Sequence, residues 1–307
     1  MKTKRSTAYV AALIYTLIIG FSFIFVKIAL NDASPLDILA HRFTLSFIVV
    51  SILVGSGWVK LNSRWRGELR SILPLALFYP VLFFTFQAFG LVYTTSSEAG
   101  IIQAAIPIFT MVLAAYFLKE RSTYVQLAAT LVSVLGVMFI FVMKGLDLNN
   151  SSLLGSVLIL LCAFSSAAYN VMARKLGGKW DVMTLTYVMT VIGFLLFNAL
   201  SLGQHLWKGT FSSYFTPFLH PAYWGAILFL GILSSLVTSY LSNYVLSKIE
   251  ASQMSVFANL ATLISIVAGV FVLNEQLQWF HIVGGVLILI GVVGRNVLPA
   301  KRRSNAS

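Results

Sequence analysis

Long apolar runs, broken only by short polar turns, constrain this chain more than any other feature. A helix crossing the hydrocarbon core of a bilayer needs about 20 predominantly apolar residues, because its backbone groups must be satisfied within the segment itself. Ten such runs occur: 7–30, 35–55, 70–94, 96–118, 123–143, 153–175, 181–203, 221–246, 250–273 and 277–298, numbered spans 1 to 10 below. They take up most of the 307 residues and leave no loop long enough for a soluble domain. Only 10% of residues are charged and 59% are hydrophobic, whereas soluble domains carry about 25% charged residues. The alternating ten-residue segments of an outer-membrane barrel are not seen. The sequence therefore predicts an all-α polytopic membrane protein of ten transmembrane helices, with the lipid bilayer as its solvent.

The net charge of +12 raises the question of a nucleic-acid partner. Its distribution points elsewhere. Ten spans put both termini on one side. That side holds Lys2, Lys4, Arg5, Lys60, Arg64, Arg66, Arg70, Lys119, Arg121, Arg174, Lys175, Lys179, Lys248, Arg295, Lys301, Arg302 and Arg303. The other side holds Lys144 and Lys208, while Lys27 and Arg42 lie within spans. This is the positive-inside bias, so no nucleic-acid partner is expected and both termini are read as cytoplasmic, in the cell (plasma or inner) membrane. The leading MKTKRS resembles the basic start of a signal peptide, but the run behind it is longer than a signal core and lacks a small-residue cleavage site, so it reads as an uncleaved span 1. Cys162, the single cysteine, reads as a small buried filler.

Glu120 ends the stretch AYFLKE and Glu275 ends VFVLNE, each followed 16 residues later by a glycine, Gly136 and Gly291. The offset of 155 residues between them superimposes spans 3, 4 and 5 on spans 8, 9 and 10. An offset near 144 superimposes spans 1 and 2 on spans 6 and 7, laying Asp37 over Asp181. The chain thus reads as two five-helix repeats, 1–146 and 147–307. Five is odd, so the second repeat enters the membrane inverted. Inverted repeats characterise many secondary transporters, with the solute site near the midplane between the halves.

Two five-span halves, His41-Arg42-Phe43 in span 2, Pro107 in span 4 and the LKE/LNE endings resemble the drug/metabolite transporter superfamily, EamA-type branch. That resemblance implies a ten-helix transporter exporting small metabolites, amino acids among the known classes. Thr262 stands where a second proline would fall, and Thr186-Tyr187 where the Arg-Phe pair would.

Candidate solute-binding residues follow from polarity at depth. Pro107 cannot donate to the Gln103 carbonyl and should kink span 4; Gln103 adds an amide at that level. Arg42 is positioned to attract an anionic group, or to pair with Asp37 or Glu98. Tyr15, Ser22, Gln87, Tyr169, Asn170, Thr238 and Asn259 complete a set that predicts a cavity of hydroxyl and amide groups with aromatic walls. Such a cavity suits a small amphipathic, neutral or zwitterionic solute. His41 is read as pairing with Asp37, Lys27 as snorkelling to the surface, and Gly231, Ser235, Ser239 and Asn243 as a small-residue packing face. Glu120 and Glu275 are read as ties of their own turns, each at the positive end of the next helix.

Every carboxylate lies at a span end or in a loop, so proton coupling is not supported. No phosphate-binding Walker loop is present, no histidine and cysteine cluster suggests a metal, and no cofactor is expected. Gly20-Phe21-Ser22-Phe23 matches the G-x-S-x pattern of intramembrane serine proteases, in a poor context; that enzyme class, a passive channel and a lipid flippase stand as the alternatives. Oligomeric state is not legible.

Overall fold

The structure, a computed structural model, describes residues 2–59, 61, 69–119, 123–144, 151–176 and 181–297. Seven helices are long and apolar enough to cross a membrane, and three shorter apolar helical stretches, Leu127–Ile140, Leu260–Leu273 and Trp279–Gly291, complete the ten expected. Span 1 is the helix Lys2–Leu30. Span 2, Pro35–Gly55, starts under an N-cap in which the Asp37 N–H donates to Ser34 Oγ, satisfying an orphan donor of its first turn. Span 7 extends to Lys208, five residues past its predicted end. Gly209 closes it in the left-handed conformation, φ 66°, which glycine adopts without steric cost. The chain then makes two short 3-10 turns before span 8 begins at Pro221.

Among the described residues, three spans depart from a regular α-helix. In span 4 the α-helix Ser96–Gln103 stops, Ala104 and Ala105 turn with i→i−3 bonds, and a second helix, Ile106–Phe117, carries Pro107 in its first turn. The expected kink is thus a tightened turn that breaks the α-helical ladder, just ahead of the residue whose missing N–H requires it. Span 3 breaks as well: the helices Leu69–Ala76 and Phe83–Tyr93 are joined by a kink within Leu77–Leu82. Tyr79, immediately before Pro80, has the extended torsions φ −146° and ψ 115°, as the residue before a proline prefers. Span 8 widens into π-helix over Phe229–Val237, between Pro221–Leu228 and Thr238–Lys248.

The helix packing recurs in exchanged pairs. Span 1 lies against span 9, Ala251–Leu273, as span 6, Ser151–Lys175, lies against span 4. Span 3 meets span 6 as span 8 meets span 1; span 2 meets span 7, span 4 meets span 9, and span 5, Tyr124–Lys144, meets span 10, Trp279–Val297. The last contact is close: a Cβ on Gly136 would stand 2.7 Å from the Gly284 carbonyl oxygen, and one on Gly284 would collide with Ile140. The turns of the LKE and LNE stretches share a backbone feature, since Lys119 and Asn274 both have positive φ, 56° and 53°. Glu120 lies outside the described residues.

Candidate functional site

A narrow cavity sits between the two groups of five spans. Tyr15, Ile19 and Phe23 of span 1, Phe83 of span 3 and Gly100, Gln103 and Ile106 of span 4 form one side. Ser166 and Asn170 of span 6 and Met254, Ala261 and Thr262 of span 9 form the other. Its volume is about 20 Å³, room for about one water molecule. The break in span 4 falls at its wall. Gln103 Nε2 donates to Cys162 Sγ at 3.0 Å, and the thiol donates in turn to the Phe83 carbonyl at 3.2 Å. Cys162 is therefore a polar link between spans 3, 4 and 6 as well as a filler. Thr262, opposite the break, donates to the Gly100 carbonyl at 2.8 Å.

Beside the cavity lies an aromatic layer. Tyr79 is 4.9 Å from Tyr169, 5.1 Å from Phe83 and 5.0 Å from Phe84 between ring centroids. Tyr79 Oη and Thr238 Oγ1 are 3.2 Å apart, and Tyr169 Oη donates to Asn243 Oδ1 at 2.7 Å. Beyond this layer is Arg42, fully buried. Its Nε donates to Ser235 Oγ at 2.9 Å, and one terminal nitrogen to Ser234 Oγ at 3.0 Å and, more weakly, to the Leu230 carbonyl at 3.4 Å. The guanidinium stands 4.1 Å from the Phe84 ring centroid. Neither expected acid pairs with it. The π-helical stretch explains the geometry: a wide turn releases carbonyls from the regular ladder, and span 2 supplies their donors. Arg42 serves Leu230, and Ser46 Oγ donates to the Gly231 carbonyl at 2.6 Å. Gly231 permits the approach, since a Cβ there would lie 2.9 Å from the Arg42 carbonyl oxygen.

The face opposite the chain termini is closed by polar ties. Glu275 accepts from the N–H and Oγ of Ser96, both at 2.8 Å, and from the N–H and Oγ of Ser97, at 2.9 and 2.5 Å. It is a lock between the turn after span 9 and the start of span 4, not a tie within its own turn. Burial works to raise the carboxyl, but the four donors outweigh it and hold the pKa below the usual value. Asp37, expected to pair with His41, instead accepts from Ser201 Oγ at 2.6 Å and Ser34 Oγ at 2.8 Å and lies 2.9 Å from His205 Nε2. His41 Nδ1 lies 2.7 Å from Tyr223 Oη, and its ring packs on Tyr214 and Phe218 from the loop before span 8. Burial and the nearby Asp37 push the Tyr214 phenol up to about 12. The face bearing the termini is sealed by an apolar cluster that includes Ala8, Leu75, Val245, Leu246, Ile249 and Met254.

Of the predicted site residues, Tyr15, Gln103 and Asn170 line the cavity. Pro107 sets the break beside it, and Tyr169 and Thr238 stand in the adjoining aromatic layer. Ser22 is fully buried and donates to the Ile19 carbonyl at 2.7 Å. Gln87 is fully buried on span 3, and both its amide atoms lack a hydrogen-bond partner among the described residues. The Asn259 side chain lies outside the described residues. Ser166 and Thr262 also line the cavity; in the sequence Thr262 stands out only as the missing proline. Tyr79 was not singled out; mid-span Pro80 was its signal. Ser235 and Asn243, read as packing residues, are hydrogen-bond partners of Arg42 and Tyr169.

Comparison with known proteins gives a consistent result. The EamA-like transporter family matches this chain over residues 6–142 and again over 153–296. A Bacillus subtilis (strain 168) protein named uncharacterized transporter YcxC is 57% identical over 302 residues, covering 98% of this chain and 96% of that protein. A Salmonella typhimurium protein named probable amino-acid metabolite efflux pump is 24% identical over 292 residues, with 92% of each chain covered. A solved crystal structure superimposes with a TM-score of 0.67 at 17% identity, covering 98% of this chain and all of the other; it bears on the fold alone. These relatives are named as transporters, not enzymes.

Proposed function

The chain belongs to the EamA-like transporter family, and on that premise we propose a secondary carrier that works by alternating access around the central cavity. The observation that carries this reading is the composition of the cavity wall: Tyr15 and Gln103 come from the first five spans, Asn170 and Thr262 from the second five. The two halves are related by inversion, so an exchange of their conformations opens the same site to opposite faces. The exchanged packing pairs and the two family matches, one per half, support that division. The wall of hydroxyls, amides and rings suits a small amphipathic, neutral or zwitterionic solute. Amino-acid-like solutes and export are favoured by the name of the Salmonella relative. The bias of Lys and Arg supports a cytoplasmic terminal face, and the reading takes the cell membrane as the protein's location.

Counterflow in proteoliposomes tests this. Vesicles loaded with unlabelled neutral amino acids and small metabolites are presented with each labelled compound outside. A carrier gives transient accumulation above equilibrium. Uptake without any overshoot would replace the carrier by a channel.

A further inference from the structure

We propose that the transported solute carries a carboxylate, and that Arg42 and Gln87 receive it. This rests on the carrier reading and names the chemistry of its solute. A guanidinium is charged at any physiological pH, and a charge inside a membrane-spanning bundle is rare unless paired or placed on a solute pathway. Arg42 is fully buried, yet no carboxylate lies within ion-pair distance among the described residues. The described acids near its face of the bundle lie against other groups: Asp32 near His220, Asp37 with Ser34, Ser201 and His205, Glu98 with Ser156, and Glu275 with Ser96 and Ser97. Hydroxyls, one carbonyl and the face of Phe84 solvate the charge instead, and one terminal nitrogen, Nη1, has no acceptor among the described residues.

Gln87 supplies the second observation. It follows Phe84 by three residues, so it shares that ring's face of the helix one turn on. Its whole amide is buried without a partner. Unsatisfied donors, one of them charged, thus occur on the Arg42 guanidinium that packs on the Phe84 ring and on Gln87, one turn along the same helix face. Unmet buried polar groups each carry a desolvation cost, and a ligand with paired acceptor oxygens relieves it at the two donors, Arg42 Nη1 and Gln87 Nε2. A monoanionic carboxylate matches a single guanidinium and an amide; a dianionic phosphate would leave one charge uncompensated. The aromatic layer of Tyr79, Phe83 and Phe84 separates the group from the cavity, and Tyr79 sits at the break in span 3. In this proposal, turning these rings opens a path from the cavity to Arg42 and gives the solute body an apolar wall.

The test uses matched pairs: 3-phenylpropanoate, 4-methylpentanoate, leucine and phenylalanine, each against its own carboxamide, with a phosphate monoester as a further probe. Binding to the purified full chain is read by thermal unfolding, and counterflow is read separately. The expected result is that at least one acid stabilises the wild type at a concentration about tenfold or more below its carboxamide. Arg42→Gln abolishes that preference, and Arg42→Lys and Ser235→Ala, which keep a cation in place, reduce it by several-fold. Equal effects of acid and carboxamide, a preference that survives Arg42→Gln, no binding of any acid, or selective binding of the phosphate monoester would each overturn the assignment. Counterflow of carboxamides as readily as of acids leaves the carrier standing and removes the carboxylate. Acid binding that depends on Arg42 without any counterflow keeps the carboxylate site and removes the carrier.

Discussion

Glu275→Gln isolates the lock on the face opposite the termini. The carboxylate accepts four hydrogen bonds, two on each oxygen: from Ser96 on one and from Ser97 on the other. Glutamine keeps one acceptor oxygen and turns an NH2 group towards the other pair; the serine hydroxyl of that pair rotates to accept, and the backbone N–H is left facing a donor. A hydrogen bond to a charged group contributes about 1.5–3 kcal/mol when buried. Glu275 is only half-buried, and water replaces part of what is lost, so about 1 kcal/mol for the lost N–H bond and about 1 kcal/mol for the charge removed from the other three is the fair scale. The expected loss is about 2 kcal/mol, or about 30-fold in the equilibrium between locked and parted spans 4 and 9. Thermal unfolding of purified protein in detergent measures it, alongside the pH dependence. The folded carboxyl has a depressed pKa. Its contribution is therefore complete above the unfolded value of about 4.3 and disappears as pH falls through the folded value. The gap between wild type and variant should hold from pH 8 to 6 and close on further acidification. Equal stability of the two proteins at pH 7, or a gap that widens in acid, would refute the reasoning.

Gly231→Ala places a Cβ 2.9 Å from the Arg42 carbonyl oxygen and from Leu45 Cδ2, so spans 2 and 8 must part. Overpacking of this kind costs about 1–3 kcal/mol, whereas Gly225→Ala, in open space on the same span, should be neutral in the same unfolding assay. Gln103→Ala removes the amide at the cavity wall and its bond to Cys162; expression should persist while counterflow weakens or vanishes, and unchanged kinetics would take Gln103 out of the site.

The ten spans were legible because each apolar run is a local property, sufficient by itself to cross a bilayer. The break in span 4 was legible at Pro107 for the same reason, since a missing N–H acts within one turn. Pro80 carries an equal signal in span 3, and the extended Tyr79 beside it follows from the same rule. Pairings across helices were less legible. Asp37 and His41 are one turn apart on span 2, which makes them obvious partners along the chain. Yet Asp37 meets His205, 168 residues away, and His41 meets Tyr223, because span 7 runs five residues beyond its predicted end and carries His205 into reach. Arg42 was matched to the acids at its own depth for a similar reason. Its actual partners, Ser234 and Ser235, look like small packing residues until the wide turn of span 8 turns their hydroxyls towards span 2. Nothing in the residues of span 8 marks that turn, which has no proline. Glu275 reaches the start of span 4 from the turn after span 9, a contact that no spacing within one turn encodes.

The central claim is that the two halves must part on the face opposite the termini during each transport cycle. Ser97 and Gly269 lie across that seam, close enough that a Cβ on Gly269 would touch Ser97 Oγ, which is near the reach of a disulfide. In a background with Cys162 replaced by alanine, the pair Ser97→Cys and Gly269→Cys should cross-link on oxidation, and counterflow in proteoliposomes should stop and return with a reductant. Cross-linked protein that exchanges solute as fast as its reduced form would contradict alternating access through this seam.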